Sequence, residues 1–452
     1  MLRTSVSNLK LDNYQFNIID QMSFRAKNLY NSSLYQLNKH FNDYKSGSKK
    51  EINSYLNYKS MDKLMKTIVD DKGLINYRML PAQVSQQILM KLDMNCKSFF
   101  SLLKMKSNKL YDRNINMPRY LNKNGRFNLI FVRSKTSGSF DIKDNYLFIT
   151  VPKDLHTKRL KIAKVPKYLN ESDIKQIEIV PKYNRYELHI TYDNNIKIEQ
   201  NTDLNNWLSV DLGINNLCTI TSNVQKSHII NGRPIKSMNK KFNKDLASAK
   251  SELKKSQNRY MSKRIDQLYS KRSNRLNNEI YKIVNFIVES IKRSSIDHIV
   301  IGYNKGWKDK STMSRFTNQT FVQIPYTKII DRITYMLNEL GFEVFLQEES
   351  YTSKCSYINN ESIEYHTTYQ GKRLNRGLFV SSEGIRLNAD INGSLNIYRK
   401  FLATLKESKN VVNDVYLRLS EPVDIGLVMN PIKINLRTNS SLNDVRTLLQ
   451  SL

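Results

Sequence analysis

Asp211 lies at a position where its carboxylate could bind a metal ion in the folded chain. It follows the strand-like run 207–210, and a Gly-Ile-Asn-Asn turn leads directly into a second β-rich run, residues 217–222. Mg²⁺ prefers oxygen ligands, and hydrolysis of a phosphodiester by a pair of metal ions needs carboxylates. An aspartate that only begins a hairpin turn would have the same surroundings, so this segment alone leaves both interpretations open.

Further acidic residues lie at the ends of other apolar segments. Asp390 precedes the helical pattern of residues 391–401, where capping of the helix N-terminus is the alternative explanation. Glu348 and Glu349 follow the strand-like run 342–346. Three acidic positions, each at the end of a strand or the start of a helix, indicate a nuclease site that the fold assembles from distant segments.

The charge balance points to a polyanionic partner. The chain has 452 residues and a formal net charge of +31, from 72 Lys and Arg against 41 Asp and Glu. This excess is more than solubility requires, so we expect nucleic acid as a partner, with a solvated basic surface as the plain alternative. The length predicts two to three domains.

Other features of the sequence bear on the cellular compartment of the protein. No apolar run approaches the ~18 residues of a membrane span, and the N-terminus lacks the apolar core of a signal peptide. The three cysteines, Cys96, Cys218 and Cys355, are far apart and odd in number. We therefore expect a reducing compartment, no disulfide framework and no membrane partner.

The hydrophobic pattern changes along the chain. Helical spacing over residues 10–45 predicts a helix, and Pro81 is well placed to open another. Short β-like runs separated by turn residues between 127 and 200 predict a small β-barrel. An α/β domain begins at Trp207 and includes a predicted helix over 321–340.

Basic residues concentrate in two stretches. Residues 97–126 hold eight Lys and Arg and one Asp, and residues 239–275 hold twelve Lys and Arg and three Asp and Glu. Such stretches are typical of contacts with a phosphate backbone, which weaken steeply with salt. The candidates for these contacts are Lys104, Lys106, Lys109, Arg113, Arg119, Lys123, Arg126, Lys254, Lys255, Arg259, Lys263, Arg264 and Arg272.

The ordered combination of segments resembles the TnpB family. These proteins are transposon-encoded RNA-guided nucleases, related to the compact type V CRISPR effectors and to the Fanzor proteins. The likeness covers roughly residues 10–400. It is carried by Leu80-Pro-Ala-Gln-Val-Ser-Gln-Gln-Ile-Leu and Asp93–Phe100 (recognition lobe), Met117-Pro-Arg (start of the wedge barrel), Val210-Asp-Leu-Gly-Ile-Asn-Asn (first RuvC motif), Tyr351-Thr-Ser-Lys-Cys-Ser (zinc-ribbon segment) and Asn388-Ala-Asp-Ile-Asn-Gly-Ser-Leu-Asn-Ile (third RuvC motif).

The resemblance implies a multidomain α+β fold. Its expected parts are a wedge β-barrel (1–10 and 117–203), a helical recognition domain (11–116), an RNase H-like (RuvC) α/β nuclease domain (204–349 and 387–405), a zinc-less insert (350–386) and a C-terminal tail (406–452).

The chain departs from the family pattern at the second catalytic position. Many members carry a glutamate after the strand that here reads Ile-Val-Ile, and this chain has Gly302 there. Either the nuclease is inactive or the carboxylate comes from elsewhere. A branch of the family carries a rearranged glutamate two residues before the position of Tyr351, which implies Glu349. Glu348 is the alternate. Neighbouring residues in a strand face opposite sides, so only one of the two glutamates can face the metal ions.

A second departure concerns zinc. Family members often carry two Cys-x-x-Cys pairs after the Thr-Ser step, whereas this chain keeps Cys355 and has His366 away from ligand spacing. Four-coordinate zinc cannot be built from these residues, so we expect none.

The activity that the resemblance implies is RNA-guided DNA cleavage. Asp211, Glu349 and Asp390 would bind two Mg²⁺ ions. A guide RNA from the same element, an omega RNA, would pair with target double-stranded DNA beside a short flanking motif. We expect a bacterial cytoplasmic, nucleoid-associated location. The alternatives are a nuclease-dead RNA-guided DNA-binding repressor, which Gly302 favours, a transposase, and a general RNA-binding protein.

Overall fold

The structure is a computed structural model, and two compact units divide the chain at residues 195 and 196. The predicted boundary at 203 and 204 and this division both fall within residues 194–204, outside the described part of the chain. The structure describes residues 2–45, 55–71, 73–133, 138–183, 185–193, 205–257, 261–304, 315–375, 377–407 and 420–436.

Among its described residues, the first unit combines three α-helices with two antiparallel sheets. The sheets have the strand orders β1-β7-β6-β2 and β3-β4-β5. The N-terminal strand β1 pairs along its whole length with β7, so the start of the chain completes a sheet built from residues 129–193. The elements are β1 (Leu2–Asn8), α1 (Asn13–Lys45), α2 (Tyr58–Met65), α3 (Ala82–Ser107), β2 (Leu129–Val132), β3 (Phe140–Lys143), β4 (Tyr146–Thr150), β5 (Arg159–Lys164), β6 (Ile174–Lys182) and β7 (Arg185–Asp193).

One hydrophobic core serves both the helices and the sheets of this unit. The apolar stripe of α1, with Ile19, Met22 and Leu29 fully buried, packs in the same cluster as Val84 of α3 and Ile177 of β6. The helices predicted over 10–45 and from Pro81 are confirmed. Closure of the strands into a barrel stays a prediction, since the described strands form two separate sheets.

The second unit is built on a mixed six-stranded sheet of order β12-β11-β8-β9-β10-β16. Strand β9 runs antiparallel to its two neighbours, β8 and β10, whereas β11 and β12 run parallel to β8. The elements are β8 (Trp207–Asp211), β9 (Asn216–Ser222), β10 (His228–Asn231), α4 (Arg233–Gln257), α5 (Lys263–Arg293), β11 (His298–Gly302), α6 (Arg315–Val322), α7 (Tyr326–Glu339), β12 (Glu343–Gln347), β13 (Gly371–Asn375), β14 (Leu378–Ser381), β15 (Arg386–Asn388), α8 (Ala389–Glu407), a one-turn helix (Ile425–Val428) and β16 (Ile432–Ile434).

Alternate residues of the sheet serve two different cores. In β11, Ile299 and Ile301 join the cluster that contains the apolar stripes of α5 and α7. Val300, between them, joins the cluster formed by α8, where Tyr398 stacks on Trp207 with ring centroids 3.7 Å apart. The sheet is therefore covered by helices on both faces, as the period of two requires.

The helix predicted over 321–340 is wrong at its beginning. Helix α6 ends at Val322 and α7 begins only at Tyr326, with Pro325 as its N-cap. Proline cannot donate the backbone hydrogen bond that a continuous helix needs at this position, so the chain breaks and restarts. Within the described ranges, no helix has the length and apolar character needed to cross a membrane.

Candidate functional site

The parallel strands β8, β11 and β12 bring three chain ends to one edge of the sheet. Asp211 is the last residue of β8, and Gly302, the last residue of β11, pairs in register with Gln347 of β12. Glu349 lies two residues further on. Because neighbouring parallel strands end at the same edge, residues far apart in sequence become neighbours.

Glu349 fills the space above Gly302. A Cβ atom placed on Gly302 would lie 2.2 Å from Oε1 of Glu349 and 2.6 Å from Cδ1 of Ile397. No side chain therefore fits at 302 while Glu349 holds its position. The absence of a side chain at Gly302 thus leaves the space that Glu349, from outside the strand, occupies.

Asn304 holds Glu349 in this place. Its amide nitrogen donates to Oε2 of Glu349 at 3.1 Å, and its amide oxygen accepts from the backbone N–H of Glu349 at 3.0 Å. The other carboxylate oxygen, Oε1, is buried and has no hydrogen-bond partner among the described residues. One oxygen is thus fixed, and the other faces the space over the strand ends.

Glu348 points the opposite way. Lys400 of α8 donates to its Oε2 at 2.5 Å, and the side chain is 56% exposed. The hydroxyl of Ser350 donates to the same oxygen at 2.6 Å, and the backbone N–H of Ser350 donates to Oε1 at 2.9 Å. Burial opposes ionisation of Glu348, but the bonds from Lys400 and Ser350 outweigh it and lower its pKa. The geometry thus favours Glu349 over Glu348 as the inward carboxylate.

Helix α8 approaches Asp211 at a glycine. A Cβ atom on Gly393 would lie 3.0 Å from Oδ2 of Asp211, which is tighter than ordinary contact. The next residue, Ser394, bonds to the sheet directly: its carbonyl accepts from the hydroxyl of Ser209 at 2.8 Å, and its hydroxyl lies 2.9 Å from that of Thr221. Small residues on α8 therefore let its backbone lie close to the strand that carries Asp211.

Asp390, in the first turn of α8, does not cap the helix. That role belongs to Asn388, whose side-chain oxygen accepts from the backbone N–H groups of Asp390 and Ile391 at 3.0 and 3.4 Å. The carboxylate of Asp390 instead accepts from Asn216 at 2.7 Å and from Arg373 at 3.0 Å. The capping explanation for Asp390 therefore does not hold.

The carboxylates at this edge repel one another in the absence of a cation. Burial first, and the charge of Asp390 second, raise the pKa of Asp211 to about 7, although Arg373 lowers it in part. Burial first, and then Asp211 and Glu348, raise the pKa of Glu349 to about 8. Carboxyl groups with raised pKa values are frequent at functional sites, where burial and neighbouring like charges are brought together.

The three acidic residues form a chain of neighbours with Asp211 in the middle. Across the described ranges, no three His, Cys, Asp or Glu side chains converge closely enough to hold a metal ion. Asp390 faces Arg373 instead, and both line a cleft of about 610 Å³ together with Gly213, Ile214, Asn215, Asn216, Arg233 and Gly377. The structure thus gathers all three residues at one edge, with Asp390 held by an arginine.

The segment after Glu349 is organised by hydrogen bonds from α8. Asn396 donates to the carbonyls of Thr352 and Cys355 at 2.9 and 2.8 Å, and Asn392 donates to that of Cys355 at 2.9 Å. The buried carboxylate of Glu361 accepts two further backbone N–H groups, at 2.7 and 2.8 Å. Cys355 is buried and donates to the carbonyl of Glu364 at 3.7 Å. The absence of zinc stays a prediction.

The basic candidates differ in their surroundings. Arg126 forms a two-pronged ion pair with Asp20 at 2.8 and 2.5 Å, and Arg272 donates to Asn239 at 2.9 Å, so both have structural partners. Arg264 is exposed and pairs with Glu252. Arg259 lies outside the described residues. The others are exposed on the surface of their units: Lys104, Lys106, Lys109, Arg113, Arg119, Lys123, Lys254, Lys255 and Lys263.

Sequence reasoning missed the partners that hold the carboxylates. Asn304, Asn216 and Arg373 come from three separate segments and share no motif. The sequence offers a signal for Asn304 alone among them, because it is a polar residue just after a predicted strand.

Two family models match consecutive parts of the chain. Residues 188–308 match OrfB_IS605, a probable transposase, and residues 326–397 match the Cas12f1-like TNB domain. The TnpB-like protein ORF457 of the Acidianus two-tailed virus is 34% identical over 110 residues. That match covers 24% of this chain and 21% of the viral protein, so the chain spans about a fifth of this relative's length.

A solved structure shares the fold. The chain resembles that of the Cas12f1–sgRNA–target DNA complex with a TM-score of 0.53 and 14% identity, over 84% of this chain and 82% of that chain. At this identity the likeness concerns the mixed α/β multidomain fold alone. Together with the sequence matches, it confirms the family resemblance predicted from the sequence.

The packing at Gly302 can be tested by a double-mutant cycle. Gly302→Ala should destabilise the wild-type protein by about 1–3 kcal/mol, the usual cost of overpacking, because its Cβ would collide with Glu349. In a Glu349→Ala background the same change should cost less, because the collision with the carboxylate is removed while Ile397 stays close. Chemical denaturation of the four proteins measures this coupling.

The control for this cycle is Gly377→Ala, whose Cβ would meet nothing within 4 Å. It should be near neutral in both backgrounds. Equal costs of Gly302→Ala with and without Glu349 would contradict the placement of Glu349 over β11.

The raised pKa values predict a pH-dependent stability in the absence of metal. The folded chain binds protons at Asp211 and Glu349 up to about pH 7 and 8, whereas the ordinary pKa values are 3.8 and 4.5. The free energy of unfolding therefore falls as pH rises across this window. Asp211→Asn and Glu349→Gln should melt above wild type at pH 8 in EDTA, and this difference should vanish towards pH 4.

We expect the difference to be a few degrees, because ~1 kcal/mol shifts the melting temperature of a domain of this size by about 2–4 °C. Glu348→Gln provides a control of opposite sign: the pKa of Glu348 is lowered, so its loss should not stabilise the protein at pH 8. Melting temperatures of the two inward variants that follow wild type at every pH would contradict the burial of this pair.

Proposed function

We propose that this chain is a member of the TnpB family and a transposon-encoded RNA-guided DNA endonuclease with an RNase H-like (RuvC) nuclease domain. The observation that carries the proposal is the position of Glu349, whose carboxylate takes the space over Gly302 beside Asp211. A second carboxylate is thus supplied from outside the strand. The proposed catalytic residues are Asp211, Glu349 and Asp390.

The oxygen donors at this edge are of the chemical kind that a pair of Mg²⁺ ions requires, although the three carboxylates do not converge on one point among the described residues. Glu349 offers a buried carboxylate oxygen that has no hydrogen-bond partner among the described residues, and Asp211 is its charged neighbour. Hard oxygen donors of this kind suit Mg²⁺. When bound, a pair of Mg²⁺ ions supplies the positive charge and Lewis acidity that phosphodiester hydrolysis needs.

The other residues of the edge have supporting roles in this proposal. Arg373 neutralises Asp390 in the metal-free protein, and Asn216 holds the second oxygen of the same carboxylate. The cleft beside them, with Arg233 and Arg373 in its lining, offers positive charge to a nucleic-acid strand. The insert, with its hydrogen bonds to α8, would need no zinc.

The proposed partners are a guide RNA, an omega RNA from the same element, and target double-stranded DNA. The net charge of +31 supports them, as does the likeness of fold to a Cas12f1 chain whose complex contains sgRNA and target DNA. The exposed lysines near the end of α3 and around the junction of α4 and α5 would contact the phosphate backbone. Base pairing by the guide would supply sequence recognition.

The rival functions make different demands on the site. A nuclease-dead RNA-guided repressor needs no second carboxylate, and Gly302 favours it only if Glu349 does not replace the missing glutamate. A transposase would join DNA ends without an RNA. A general RNA-binding protein leaves the three acidic positions unexplained.

Removal of single carboxylates tests the proposed activity. Asp211→Ala, Glu349→Ala and Asp390→Ala should each bind guided target DNA and fail to cut it, because a two-metal site that lacks a ligand loses charge balance and geometry together. The loss should exceed the about 10–100-fold that removal of an outer-shell partner costs. Cleavage of a guided duplex in Mg²⁺ and a gel-shift assay of the same complexes measure the two effects.

Glu348→Ala is the matched control, and it should retain activity because Glu348 faces Lys400. If Glu348→Ala is inactive while Glu349→Ala cuts, the assignment is wrong by one residue. If neither change affects cutting, the rearranged site does not exist. A wild-type protein that binds guided DNA without cutting it in Mg²⁺ would support the repressor.

If a guide RNA is the partner, the purified protein should carry a discrete transcript of its own locus. Alanine at Lys104, Lys106, Lys109 and Lys123 together should weaken RNA binding. It should also reduce the slope of log affinity against log salt by about 0.7 for each lost contact to single-stranded phosphate. Sequencing of the co-purified RNA and filter binding at several salt concentrations measure these effects.

The control is the pair Lys59→Ala and Lys63→Ala, which removes exposed charges of the same unit from α2. It should change affinity and slope less for each charge removed. A stable RNA-free protein that binds its own transcript no more tightly than random RNA would exclude the guide RNA.

A further inference from the structure

Glu349 lies outside the hydrogen-bonded ladder of the sheet. Strand β12 ends at Gln347, whose carbonyl accepts from the backbone N–H of Tyr303 at 2.8 Å as the last rung beyond the paired residues. A carboxylate borne by residue 302 would be aimed by the strand itself, whereas one borne by residue 349 needs another support.

The neighbouring glutamate makes this support more important. Glu348 and Glu349 carry the same functional group on neighbouring residues, and a one-residue shift of this segment would exchange the one that faces Asp211. On the outer side, Lys400 and Ser350 hold Glu348 by charge-assisted bonds of 2.5 to 2.9 Å. These bonds fix the outward carboxylate and leave the aim of the inward one to the inner side.

On the inner side, Asn304 makes both bonds that such a support requires. Its amide oxygen accepts from the backbone N–H of Glu349 and so fixes the turn, while its amide nitrogen donates to Oε2 and so fixes the carboxylate. Asn304 follows Gly302 by two residues, so the residue that orients the relocated carboxylate comes from the strand end over which that carboxylate lies. Oε1 is left facing the strand ends.

We propose that Asn304 is the positioning residue that aims Glu349 at the metals. It would replace the rigidity of a strand with two hydrogen bonds to one residue, and it would select Glu349 over Glu348. This inference rests on the proposed metal site. Outer-shell groups that orient a carboxylate ligand typically affect metal affinity by about 10–100-fold, which gives the scale of the expected effect.

Mn²⁺ binding to the full-length protein tests this role without cleavage. Free Mn²⁺ is measured by electron paramagnetic resonance in wild type, Asn304→Ala and Asn304→Asp, and the Mn²⁺ bound by the Asp211→Ala variant is subtracted to remove binding to RNA and surface groups. Asn304→Ala loses both bonds. Asn304→Asp keeps the acceptor for the backbone N–H and loses the donor to Oε2. Both should bind Mn²⁺ about 10–100-fold more weakly.

The matched control is Asn128→Asp. Asn128 donates to Oε1 of Glu178 at 2.7 Å and is partly buried like Asn304, but it lies in the first unit. It should leave Mn²⁺ affinity unchanged. Asn304→Ala should also raise the Mg²⁺ concentration for half-maximal cleavage while leaving the affinity for guided DNA unchanged, which general damage to the fold would not do.

The outcomes separate this inference from the proposed function. Wild-type Mn²⁺ affinity in either Asn304 variant overturns the positioning role, whether or not the protein cuts DNA. Weakened Mn²⁺ binding in both variants supports it, even if wild type cuts no guided DNA and the endonuclease proposal fails. A wild-type protein that binds no more Mn²⁺ than Asp211→Ala overturns the metal site and the positioning role together.

Discussion

The close approach of helix α8 to the strand ends is the constraint on which the candidate site depends. Gly393 lets the backbone of α8 reach within contact distance of Asp211, and Ser394 bonds to β8 and to the neighbouring strand β9. The same helix carries Asp390 in its first turn and Lys400 further on, which holds Glu348 outward. A side chain at 393 would press on the carboxylate of Asp211, because its Cβ atom would lie 3.0 Å from Oδ2.

This close packing disfavours negative charge on Asp211 and Glu349. Asp211 and Glu349 are half-buried beside each other, and burial together with repulsion between neighbouring carboxylates raises the pKa of both carboxyl groups. The carboxylate of Asp390 pairs with Arg373. A cation bound between Asp211 and Glu349 would relieve their repulsion, since a nearby positive charge favours the ionised carboxylate.

The parts of the fold with strong periodicity could be predicted from the sequence. Helix α1 and strand β11 follow from the spacing of their apolar residues, and the three acidic positions follow from their places at element ends. The break before α7 was missed, although Pro325 is a residue that interrupts a helix. The pairing of β16 with β10 could not be foreseen, because it joins residues about two hundred positions apart and depends on tertiary packing. The roles of Asn304 and Arg373 were hidden for the same reason.

Helix α8 also joins the insert to the candidate site. Asn392 and Asn396 hold the carbonyls of Thr352 and Cys355, only a few residues after Glu349, while Asp390 and Gly393 of the same helix lie against the carboxylates. Because side-chain amides of α8 hold the backbone of this segment, its conformation depends on the position of that helix. The docking of α8 on β8 therefore determines both the conformation of residues 351–361 and the position of Glu349.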